Sequence, residues 1–130
     1  MIRVVLLCLA ATGAAAQERA MTPDAFLDLV EGQTATFMLG ESDALVGVER
    51  FIDRERSVWT RSDGSCALGE ISVRDTKVCF VYDDDPGTNH CWQPFELAGR
   101  TYVRSTLNGE IQRLAAMEKR RLECVGEPLS

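Results

Sequence analysis

Seven short β-prone segments, each closed by a turn signal, follow one another from Thr34 to Leu107, and this spacing leaves few folds open. They are Thr34–Leu39, ending at Gly40; Ala44–Ile52; Ser57–Arg61, which runs into Ser62-Asp63-Gly64; and Cys66–Val73, turning at Arg74-Asp75. Lys77–Tyr82, Asn89–Phe95 and Arg100–Leu107 complete the series. Side chains alternate along a strand, so Val78, Phe80 and Tyr82 share one face while Cys79 and Val81 share the other. In the same way Val46, Val48 and Ile52 oppose Phe51. Strands at intervals of roughly 8–12 residues, with turns between, predict a mainly β fold: an antiparallel meander curled into a small barrel or half-barrel. Asp83-Asp84-Asp85-Pro86-Gly87 reads as an acidic loop, and Asn108-Gly109 as a two-residue hairpin turn.

The flanks are simpler. Thr22-Pro23-Asp24 starts a short helix, because Thr22 can cap it, Pro23 suits its first position and Asp24 faces the positive end of its dipole. Phe26, Leu27, Leu29 and Val30 form its apolar stripe, and Gly32 ends it. Residues 17–21 read as a flexible leader. Glu110–Cys124 carries two opposed signals: the Asn-Gly turn asks for a return strand, whereas Gln, Leu, Ala, Met, Glu and Lys favour a helix. A strand is expected as far as Leu114, with the remainder open.

The N-terminus sets the expected compartment. Met1-Ile2-Arg3 is a short basic start, Val4–Ala11 an apolar run, and Ala14-Ala15-Ala16 a small-residue cleavage site before Gln17. Residues 1–16 are thus expected to be a cleaved signal peptide, leaving residues 22–130 as one domain in the periplasm or outside the cell. Without Arg3 the mature chain holds 13 basic and 20 acidic residues, a net charge of −7. An acidic domain repels nucleic-acid phosphates and anionic lipid, so neither nucleic acid nor membrane is an expected partner, and a basic protein is. Cys66, Cys79, Cys91 and Cys124 remain, an even set that reads as two disulfides; gaps of this length do not suit a metal site. If Lys77–Tyr82 and Asn89–Phe95 are neighbours, Cys79 falls opposite a residue close to Cys91, leaving Cys66 for Cys124. Cys66–Cys79 with Cys91–Cys124 is the competing pairing.

Ser65-Cys66-Ala67-Leu68-Gly69-Glu70-Ile71, Cys79-Phe80-Val81-Tyr82 and Cys91-Trp92 together form a C-x-x-G, C-F-x-Y, C-W core. It resembles that of a group of small exported proteobacterial proteins, with Ile71 where the group tends to carry Trp. The likeness covers residues 46–95 and implies fold and export. In outline the chain is also similar to periplasmic lysozyme inhibitors and to lipocalin-like carriers, a likeness of fold.

Candidate chemistry is sparse. His90, the single histidine, could act as a base or ligand beside Asp83, Asp84 and Asp85, but no nucleophile stands in a known local pattern. The three aspartates do not match an EF-hand, since Thr88 and Pro94 would occupy the Gly and Glu positions. No catalytic residue, cofactor or metal is therefore expected. Asp83, Asp84, Asp85, His90 and Trp92 are the candidate binding residues, and Trp59, Phe80, Tyr82, Trp92 and Phe95 could line a ligand cavity or fill a core. The expected function is non-catalytic binding, either inhibition of a basic hydrolase such as lysozyme through the acidic loop or carriage of a small molecule.

Overall fold

A computed structural model describes residues 13–124. Of the segment expected as a signal peptide, residues 1–12 lie outside the described residues. The elements in chain order are β1 (Arg19–Ala20), α1 (Pro23–Val30), β2 (Thr34–Leu39), β3 (Leu45–Phe51) and β4 (Arg56–Arg61). They continue with β5 (Cys66–Arg74), β6 (Lys77–Tyr82), β7 (Asp85–Leu97), β8 (Arg100–Ser105) and β9 (Ile111–Glu118).

Strands β2 to β9 each pair antiparallel with the next in sequence, and β9 returns to β2 to close an eight-stranded barrel. An eight-stranded barrel is just wide enough to be filled by side chains or to hold one small ligand. Connected hairpins put the turns before β3, β5, β7 and β9 at one end. The helix and the turns before β4, β6 and β8 lie at the other.

Helix α1 stoppers that second end. Thr22 Oγ1 accepts from the Ala25 N–H (3.1 Å), and Pro23 begins the first turn, as the sequence predicts. The helix ends in Glu31, with Gly32 in the left-handed region (φ 72°) and its N–H donated to Phe51 O. Pro23, Phe26, Leu27 and Val30 are buried, and Phe26 meets the Phe51 ring edge-on at 6.1 Å. Leu29 departs from the predicted stripe: it is exposed, beside the groove the helix forms with Arg19–Met21 and Glu96. Arg54 in the β3–β4 turn fastens the helix by donating to Asp24 and Asp28.

Three further expectations are corrected. The leader is ordered at Arg19–Ala20, which pair with Glu96 and Phe95 on β7 where β6 has ended. Arg19 bonds Glu96 and Glu18 bonds Arg104, fixing the segment across the outside of the barrel. The acidic loop is mostly strand: Tyr82 pairs with Asp85, so the turn is Asp83-Asp84 alone. Pro86 to Asn89 bulge out before His90 rejoins Phe80, and a bulge tolerates the Pro-Gly pair that a flat strand would not. The β8–β9 connection is longer than two residues. Ser105 N–H donates to Glu110 O, Gly109 N–H donates to Ser105 O, and Asn108 Oδ1 accepts from Glu110 N–H. Gly109 sits at φ 75° within that loop.

Glu110–Cys124 resolves in favour of the strand, with β9 continuing four residues past Leu114 because β2 offers partners through Thr34. The chain then crosses the outer face of the barrel. Arg120 O accepts from Thr34 Oγ1 and Arg50 Nη1, Leu122 is buried, and Cys124 bonds Cys66 at the start of β5. Cys79 and Cys91 are directly paired across β6 and β7 and form the second disulfide, as predicted.

Candidate functional site

The barrel encloses a cavity of about 260 Å³ between the helix and the end bearing the β4–β5 and β6–β7 turns. Phe26, Phe51 and Val78 lie toward the helix, and Arg61, Asp84 and Asp85 form part of the opposite rim. Trp59, Phe80, Tyr82 and Trp92 make much of the wall, with Phe37 and Val103 beside them.

Two glycines make room for these rings. An added Cβ at Gly47 would stand 2.4 Å from the Trp59 indole, so the bare backbone there lets the ring lie flat against the sheet. At Gly69 the same atom would meet Ser57 Oγ at 2.5 Å and the Tyr82 ring at 3.0 Å. Register explains both clashes: Gly69 stands directly between Ser57 and Tyr82 on neighbouring strands.

Glu49 is the group the sequence reading missed. It lies on β3 between Gly47 and Phe51, points into the cavity and is 2% exposed. Tyr82 Oη donates to its Oε2 (3.2 Å). Among the described residues, Oε1 has no hydrogen-bond partner, nor does Ser57 Oγ. Burial disfavours the charged carboxylate and pushes Glu49 up to about 8, although Ser57 and Tyr82 pull the other way. Burial, reinforced by the negative charge of Glu49, likewise pushes the Tyr82 phenol well above its usual value. A carboxyl group in an aromatic chamber with one oxygen unused can receive a hydrogen bond or a cation.

The five residues predicted as binding groups divide. Asp84, Asp85, His90 and Trp92 line the cavity, whereas Asp83 turns away and accepts the Leu68 N–H (2.9 Å). Asp84 is held by Arg61 across the rim. His90 Nε2 lies 3.7 Å from Asp85 Oδ2, and its ring is 5.6 Å from that of Tyr82. The aspartates thus face separate partners and do not form one acidic ridge. Of the aromatic set, Phe95 is misplaced: it points outward, stacks on Tyr102 at 5.3 Å and is covered by Arg104. A second, larger groove of about 690 Å³ runs outside the barrel beside that stack, lined by Glu18, Met21, Asp75 and Arg104 among others. It has neither an aromatic enclosure nor an unused buried polar group, so the interior chamber is the stronger site.

Glu49 could be found only from the register. On β3 the valines share the outward face, and Glu49 shares its face with Phe51, which is 1% exposed. Comparisons with protein-family models, with curated proteins and with solved structures return no match.

Proposed function

We propose that this protein binds a small molecule inside its barrel and acts outside the cytoplasm by carriage or sequestration. The observation that carries the reading is the aromatic chamber of about 260 Å³ holding a buried carboxyl group with an unused oxygen. Side chains normally fill so narrow a barrel. Here bare Gly47 and Gly69 let the Trp59 and Tyr82 rings lie against the sheet, where an added Cβ would force them away. Two disulfides fit an oxidising compartment, and no helix among the described residues is long and apolar enough to cross a membrane. Export to the periplasm or beyond agrees with the signal-like N-terminus. Carriage is preferred over inhibition of a basic hydrolase because Asp83 and Asp84 are engaged within the chain, which weakens an acidic docking ridge.

Titration with the neutral one-ring dye 4-nitroanisole, whose absorbance overlaps tryptophan emission, tests the reading. Trp59 and Trp92 both face the chamber, so bound dye should quench their emission and saturate at one equivalent. Val103→Phe, which fills the chamber, should abolish that signal while circular dichroism remains unchanged. Absence of saturable binding by the wild-type protein, or undiminished binding by a folded Val103→Phe protein, would refute an interior site.

A further inference from the structure

The chamber's polar groups are unevenly charged. Glu49, Asp84 and Asp85 bear carboxyl groups, and Arg61 is the one permanent base among the lining residues. Arg61 is already committed to Asp84 at the rim, and His90 stands beside Asp85. Neither base is bonded to Glu49. What faces Glu49 is Tyr82 from β6, which occupies Oε2, and Ser57 from β4. Ser57 Oγ lies close enough to favour the Glu49 carboxylate but outside hydrogen-bond geometry, so among the described residues Oε1 is left without a bonded partner. The surrounding walls are the aromatic rings of Phe37, Trp59, Phe80, Tyr82 and Trp92, whose faces attract an organic cation.

We propose that the ligand is a small organic amine, whose ammonium group pairs with Glu49 Oε1 while its apolar body lies among the aromatic rings. The inference rests on the carriage reading and adds the ligand's chemistry to it. An ammonium donates to the unused oxygen and supplies the counter-charge that no neighbouring side chain gives. Asp85, the rim carboxylate not paired with Arg61, favours a cation over a carboxylate ligand. The cavity volume restricts the ligand to one ring or a short chain with its amine.

The pairing has a protonic consequence. In the empty chamber Glu49 titrates near 8, so at neutral pH it holds its proton. An ammonium ion stabilises the carboxylate and expels that proton to solvent. Binding at pH 7 should release about 0.9 proton per ligand, and affinity should rise about tenfold per pH unit between pH 6 and 7.5.

The experiment is a displacement series with the wild-type chain and Glu49→Gln, using bound 4-nitroanisole as reporter. The probes are 2-phenylethylamine, 2-phenylethanol, propylbenzene and 3-phenylpropanoate, and calorimetry in two buffers of different ionisation enthalpy counts the protons. The expected result is that 2-phenylethylamine binds at least tenfold tighter than propylbenzene at pH 7.5, releases a proton, and loses its advantage in Glu49→Gln. Equal binding of amine and propylbenzene, or preference for the alcohol or the carboxylate, would overturn the amine assignment and leave carriage standing. Failure of the neutral dye itself to bind would overturn both.

Discussion

Replacing Glu49 by Gln should change how stability depends on pH more than it changes stability at any single pH. The carboxyl group has an ordinary value near 4.5 in the unfolded chain and about 8 when folded. Between those values the folded state keeps a proton that the unfolded state has lost, so each rise of one pH unit costs the fold about 1.4 kcal/mol. The contribution is complete below pH 4.5 and is lost as pH rises through 8. Integrated from pH 5 to pH 9, it amounts to about 4 kcal/mol, a large part of the stability of a domain this size. The amide introduced by Glu49→Gln cannot titrate, so the variant's curve should lack this fall. The assay is urea unfolding with both disulfides intact, followed by Trp59 and Trp92 emission from pH 5 to pH 9. The two proteins should diverge steadily with pH, Glu49→Gln becoming the more stable in alkali. A stability difference that stays constant across the range would refute the reasoning, because it would mean that Glu49 is solvated or already paired in the folded state.

Two other substitutions test the architecture. Gly69→Ala should destabilise the fold by about 1–3 kcal/mol by overpacking against Ser57 and the Tyr82 ring, and should weaken dye binding by moving Tyr82; denaturant midpoints unchanged from wild type would contradict the close approach. Replacing Cys66 and Cys124 together by Ala should cost about 4 kcal/mol in the chain-entropy picture for a loop of 58 residues, read as a shift in the urea midpoint; a loss below about 1 kcal/mol would show that the tail is held by its other contacts.

The barrel was legible because its signals are local. Strand β6 coincides with its predicted span, and the alternation that separates Cys79 from Val78 and Phe80 also places Cys79 opposite Cys91. Where local and tertiary signals disagree, tertiary pairing decides. Pro86 and Gly87 have the composition of a loop but lie in a bulged strand, and Arg19–Ala20 look like a tail but complete the free edge of β7. The site was half visible. His90, Trp92, Asp84 and Asp85 stand out by residue type and do line the chamber. Glu49 does not stand out, because a charged residue flanked by Val48 and Arg50 has the pattern of an exposed position. Its inward direction follows only from Phe51 two residues later and from the strands on either side.

The Cys66–Cys124 bond also bears on how the barrel comes together. Every pairing from β2 through to β9 is a hairpin between sequence neighbours except the seam, where Thr34 meets Glu118 across roughly 84 residues of chain. Loop-closure entropy makes the seam the most demanding pairing to form. With Cys66 and Cys124 joined, the path from Thr34 to Glu118 by way of the cross-link shortens to roughly 38 residues, which lowers the closure cost by about 0.7 kcal/mol. The chamber has no wall on that side until β2 and β9 meet. Oxidation of this pair therefore favours the step that turns an open curl of hairpins into a container.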